Sequence, residues 1–96
     1  DILMPDLQRI GGFTEMQRVC ALAATFDTPV STHIFTEHSL SIAGSTPNCI
    51  SVEHIPWFSS LFNETITIEN GYITIPERPG IGFTFSQDTI NRYHID

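Results

Sequence analysis

The segment VSTHIFTEHSLSIAGSTPNCISVE, Val30 to Glu53, decides the fold. It opens on Val30-Ser31-Thr32, a short run suited to a strand that ends at His33. A helix is expected from about Glu37 to Ser45, with Leu40 and Ala43 turned inward. Cys49 to Val52 then reads as a buried strand that delivers Glu53. Strand, helix and strand in this order make a βα unit, so the expected class is α/β with a parallel sheet.

The same alternation extends upstream. Ile2-Leu3-Met4 is an apolar run ended by Pro5, as at the end of a buried strand, and Asp6 follows it. Gly11-Gly12 marks a loop. Thr14 with Gln17 has the capping-box pattern of a helix start. Met16, Val19, Cys20, Ala23 and Phe26 recur at helical spacing, which predicts a helix over 14–26 with that face buried. Asp27 to Pro29 stops it.

Downstream the pattern changes near Pro56. TITIENGYITI, Thr65 to Ile75, alternates with period two on both sides of Asn70-Gly71, the strongest short hairpin signal. Pro76 to Gly82 forms a rigid loop, Phe83 and Phe85 alternate as in a short strand, and Ser86 is placed to cap a last helical turn through about Tyr93. There is no internal repeat and no low-complexity segment.

Composition narrows the function classes. The 96 residues carry a formal net charge of −7, and only 16% are charged. A free-standing domain carries about 25%, so the shortfall predicts that other protein covers much of this chain. Four Lys and Arg in total leave no basic patch for nucleic acid and no polybasic segment for anionic lipid. No apolar run approaches the roughly 20 residues of a membrane span. The opening DILMPD lacks the basic start and apolar core of a secretory signal. Cys20 and Cys49 form no CxxC pair and are expected to be buried free thiols in a reducing compartment, so a cytoplasmic location is expected.

Asp6, His33 and Glu53 each follow a predicted strand. Ligands of parallel α/β folds bind at the carboxyl ends of strands. An aspartate bonded to one histidine nitrogen fixes the tautomer and frees the other nitrogen to take a proton. A glutamic acid held in an apolar cleft keeps its proton and donates to an oxyanion. Spacing alone leaves open whether His33 is such a base or a satisfied structural residue. A zinc site fits worse. His33 and His38 are five apart, whereas the zinc helix motif needs an i, i+4 pair with Glu beside the first histidine. Glu37 and His38 fit better as the opening of a helix. His54 should point away from Glu53, and His94 has no visible partner. Trp57, Phe58 and Phe62 read as core or subunit contacts near the proposed mouth.

LMPDLQRIGGFTEMQRVCALA, STHIFTEHSLSIAGSTPN, SVEHIPW and PERPGIGF occur in that order and span almost the whole chain. Together they resemble the C-terminal part of the mandelate racemase subgroup of the enolase superfamily. The resemblance implies the C-terminal portion of a modified (β/α)8 TIM-type barrel, over 1–57. Residues 58–96 would then be a segment, with its β-hairpin, that returns to pack on a capping domain. By position, Asp6 matches the aspartate of a His-Asp dyad, His33 the general acid/base, and Glu53 the residue that hydrogen-bonds the substrate carboxylate. The family's reaction begins with removal of the proton α to a carboxylate, and Mg²⁺ stabilises the enolate. The family's Mg²⁺ ligands and catalytic lysine lie on earlier strands that this chain does not contain. What is present matches roughly the last quarter of a member, which cannot close a barrel and is not expected to fold alone.

Glu53-His54-x-x-Trp57 and Leu61-Phe62-Asn63-Glu64 are similar to acid-sugar dehydratases of the talarate/galactarate kind. The resemblance therefore implies a lyase that removes the α proton and then the β-hydroxyl. A racemase or epimerase of α-hydroxy acids with the same three residues is the alternative, and a non-catalytic fragment lacking the metal site is another. The implied partners are the remainder of the same enzyme, a small-molecule carboxylate, and further copies in a homo-oligomer. No nucleic acid or membrane partner is expected, and this chain alone should be inactive.

Overall fold

A computed structural model describes residues 1–96. The elements follow in order: α1 (Phe13–Thr25), β1 (Val30–Thr32), α2 (Thr36–Ser45), β2 (Cys49–Val52), a 3-10 helix (Pro56–Leu61), β3 (Ile68–Glu69), β4 (Tyr72–Ile73) and α3 (Gln87–Tyr93). β1 and β2 run parallel, with α2 as the crossover. Leu3 forms a parallel bridge to Val30 on the other side of β1. Three chain segments thus lie side by side in the order Leu3, β1, β2.

β1 is central and wholly buried. Val30 points into a cluster with Leu7, Met16, Cys20, Ala23 and Ile42, which docks α1 and α2 on one side of the strands. On the other side, Ser51 Oγ donates to Ser31 Oγ at 2.9 Å. Period two along β1 therefore puts an apolar face toward the helices and a polar face opposite. A second cluster of Leu40, Phe62 and Phe83 fastens the tail to α2, with Val52 and Ile73 against it.

Several expectations need correction. Ile2, Leu3 and Met4 are exposed rather than buried, and only Leu3 pairs. No further strand covers their outer side. β2 is half-exposed for the same reason, with Ile50 60% accessible. Thr14 does not cap α1. Gly12 holds that position, and no side chain bonds there. The helix ends at Thr25, so Phe26 lies beyond it and is exposed. Ile42 takes the buried place in α2, and Ala43 is half-buried. Cys20 is buried and Cys49 half-buried. Phe85 makes an isolated bridge to Phe62 instead of a strand. The 3-10 helix was not anticipated.

Other local signals match what forms. Asn70 and Gly71 have φ of 50° and 80°, the pair of positive values that a two-residue hairpin turn requires. Ser86 Oγ accepts from Thr89 N–H at the start of α3. Gly82 has φ +78°, and a Cβ there would sit 2.6 Å from Pro76 Cγ. Only glycine fits that close approach in the Pro-Gly-Ile-Gly loop. No helix is long and apolar enough to cross a membrane.

Candidate functional site

The polar ends of the three parallel segments converge. His33 N–H donates to Pro5 O at 3.3 Å, and Glu53 N–H donates to Thr32 O at 3.2 Å. The sheet hydrogen bonds thereby continue one residue past β1 and β2. They hold Asp6, His33 and Glu53 abreast.

Asp6 is a structural as well as a chemical residue. Its Oδ1 accepts from Gln8 N–H at 2.9 Å and Arg9 N–H at 3.1 Å, which shapes the turn leading to Gly11-Gly12. Its Oδ2 lies 3.1 Å from His33 Nδ1. Burial pushes the Asp6 carboxyl up. The Arg9 N–H, the His33 ring, the Gln8 N–H and the Arg9 guanidinium outweigh burial and hold it below its ordinary 3.8. Asp6 is therefore a carboxylate at neutral pH. A carboxylate facing Nδ1 puts the imidazole proton on Nδ1 and leaves the Nε2 lone pair open.

Nε2 of His33 lies 3.7 Å from Glu53 Oε2. That oxygen accepts from Ile34 N–H at 3.0 Å. Asp6 is buried, while His33 and Glu53 are each about one-third exposed at the side chain (33%). Both reach solvent at the carboxyl end of the strands. The row Asp6, His33, Glu53 can orient an imidazole, take or give a proton at Nε2, and offer a carboxyl oxygen beside it.

The turn after His33 is unusual. Ile34 and Phe35 both have left-handed backbone, with φ of 36° and 45°. A β-branched residue in that region is a genuine outlier, and each such residue costs on the order of 1–3 kcal/mol. No sequence signal marks it, because neither residue is Gly, Asn or Asp. The turn is pinned from several sides. The Phe35 ring stacks on Phe58 with centroids 4.9 Å apart. Ser39 Oγ donates to Phe35 O at 3.0 Å.

The remaining candidates fall outside the row. Glu37 opens α2, as expected, but it is buried, with Ser59 Oγ donating to its Oε1 at 3.3 Å. The His38 ring meets the Phe62 ring edge-on at 5.6 Å. His54 points away from Glu53, with its Nδ1 3.1 Å from Thr36 Oγ1. His94 has a neighbour after all, Asp96, with 3.4 Å between Nδ1 and Oδ1, at the exposed chain end. Trp57 is exposed, whereas Phe62 is core. No group of three or more His, Cys, Asp or Glu side chains gathers to hold a metal ion. Both Asp6 oxygens and Glu53 Oε2 already have protein partners. These residues therefore do not fit a Mg²⁺ site.

Known proteins are similar to this chain over most of its length. The model of a family described as enolase C-terminal domain-like matches residues 1–89. D-xylonate dehydratase of Haloferax volcanii is 33% identical over 105 residues, covering 100% of this chain and 26% of that protein. L-talarate/galactarate dehydratase of Salmonella typhimurium is 32% identical over 87 residues, covering 91% of this chain and 22% of that protein. The crystal structure of L-talarate dehydratase from Polaromonas sp. JS666, complexed with Mg and L-glucarate, superposes with a TM-score of 0.89 at 36% identity. That match covers 95% of this chain and 25% of the other. The chain thus spans about a quarter of the length of these relatives.

Proposed function

This chain belongs to the enolase C-terminal domain-like family, whose fold is the (β/α)8 barrel part of the enzyme, and from that premise we propose that it supplies the acid/base end of an acid-sugar dehydratase. The observation that carries the reading is the row Asp6 Oδ2, His33 Nδ1, His33 Nε2 and Glu53 Oε2, with 3.1 Å and 3.7 Å across its two gaps. His33 Nε2 takes the proton α to the substrate carboxylate, or returns a proton to the departing β-hydroxyl. Asp6 keeps the Nδ1–H tautomer and stabilises the imidazolium that forms. Glu53 binds the carboxylate and, when protonated, donates to the enolate oxygen.

The rest of the barrel and the capping domain come from protein outside this segment. Residues 1–57 join that barrel, and residues 58–96 reach toward the cap. The free outer edge of β2 and the exposed Ile50 support a further barrel strand beside it. Mg²⁺ belongs to that other part as well. Neighbours solved with Mg support its presence, and the side chains here do not hold it. A homo-oligomer is the proposed assembly, in the cytoplasm.

The test uses the longer protein that carries this segment, incubated with aldonic and aldaric acids in the presence of Mg²⁺. A 2-keto-3-deoxy acid product is expected. An inverted stereocentre without loss of water would replace dehydration by epimerisation. No conversion of any acid sugar would refute both.

A further inference from the structure

We infer that the Ile34–Phe35 turn is a positioning device: clamped by the Phe35–Phe58 stack, it aims the Ile34 amide at Glu53 Oε2 and leaves Oε1 to meet the substrate. The catalytic consequence rests on the dehydratase reading above, but the geometry does not. A flexible glutamate at a strand end needs something to fix its carboxyl group. Its backbone is held by the N–H bond to Thr32 O and by Thr36 Oγ1 donating to its carbonyl at 3.3 Å. Its carboxyl group is held by Ile34 N–H, at 3.0 Å. The left-handed φ of Ile34 ties that amide plane to the Phe35 end of the turn, which the Phe58 stack anchors.

Such a turn persists only where its surroundings over-determine it. Phe58 does this from the 3-10 helix, five residues beyond Glu53, so one stretch of chain carries both the carboxylate and the clamp. The aim also assigns the oxygens. Oε2 takes the Ile34 N–H, and Oε1 is the oxygen left without a hydrogen-bond partner in the chain. Oε2 is left facing Ile34 N–H and His33 Nε2. Phe58 and Phe35 touch neither Asp6 nor the reacting atoms in this account. They act through Glu53.

The experiment labels the longer protein with ¹⁵N-isoleucine and assigns the Ile34 amide by its loss in Ile34→Val. Glu53→Ala should move that amide proton resonance. Phe58→Ala should move it in the same direction, and the double variant no further. Phe58→Tyr, which keeps the ring, should leave it in place. In turnover, Phe58→Ala should lower kcat/KM about 10- to 100-fold, and add nothing to Glu53→Ala. Should Phe58→Ala fail to fold, Phe58→Leu keeps the volume and loses the ring. An unmoved Ile34 resonance, or a Phe58 effect that persists undiminished without Glu53, overturns the inference. The resonance needs no turnover. A parent protein without activity would refute the dehydratase reading and leave the resonance to decide the device.

Discussion

Replacing Asp6 by Asn changes one atom and should nearly silence the site. Oδ1 accepts two backbone N–H groups, from Gln8 and Arg9. An asparagine must keep its carbonyl oxygen there. Turning its NH₂ toward those two donors would leave both unsatisfied, at about 1–3 kcal/mol each, or about 2–6 kcal/mol in all. The NH₂ therefore takes the Oδ2 place, 3.1 Å from His33 Nδ1. It donates to Nδ1, so the imidazole proton moves to Nε2. The Nε2 lone pair is then gone, and the base with it. The same tautomer error in a serine protease lowers kcat by about 10⁴, and a loss of that order is expected here. The assay is the steady-state rate of 2-keto-3-deoxy acid formation by the longer protein carrying Asp6→Asn, with its melting temperature measured alongside. A folded variant within threefold of the parental kcat would refute the orientation argument.

Other outcomes follow from the same structure. Asp6 titrates lower when folded than its ordinary 3.8, so its charge stabilises the fold above that value and the stability is lost as pH falls through the depressed one. The acid limb of a stability–pH curve should be shallower in Asp6→Asn than in the parent, and an identical limb would contradict this. Met16 is 1% exposed at the centre of the α1 cluster. Met16→Ala should destabilise by about 2–5 kcal/mol in urea unfolding, and a loss below about 1 kcal/mol would not fit. Thr32 Oγ1 is buried without a partner, so Thr32→Val should raise stability by about 1 kcal/mol, and a clear drop would refute the unpaired hydroxyl. Gly82→Ala should destabilise by more than about 1 kcal/mol, because it combines positive φ with the Pro76 clash.

Much of this was legible because short-range chemistry fixed it. Asn70-Gly71 specifies its turn by backbone preference alone, and Ser86 finds Thr89 N–H within one turn. The βα alternation set Asp6, His33 and Glu53 at three strand ends, and the structure puts them abreast. The misses have a common cause. Thr14 reads as a cap only until the Asp6 side chain organises the preceding turn and Gly12 takes the helix start. Ile2 to Met4 and β2 read as buried strands by composition, whereas no further strand of this chain covers them. The left-handed pair Ile34–Phe35 has no compositional trace. It is held by Phe58, Ser39 and Glu53, partners up to twenty-three residues away. Glu37 was expected at the start of a helix, but nothing local foretells its burial beside Ser59.

The most direct measurement of the central claim is exchange of the substrate α proton. The longer protein and its His33→Asn variant are incubated with a converted acid sugar in deuterium oxide, and the α position is followed by proton NMR. The account predicts deuterium incorporation, or its equivalent in product, with the parent and none with the variant. Undiminished exchange without the His33 imidazole would contradict it.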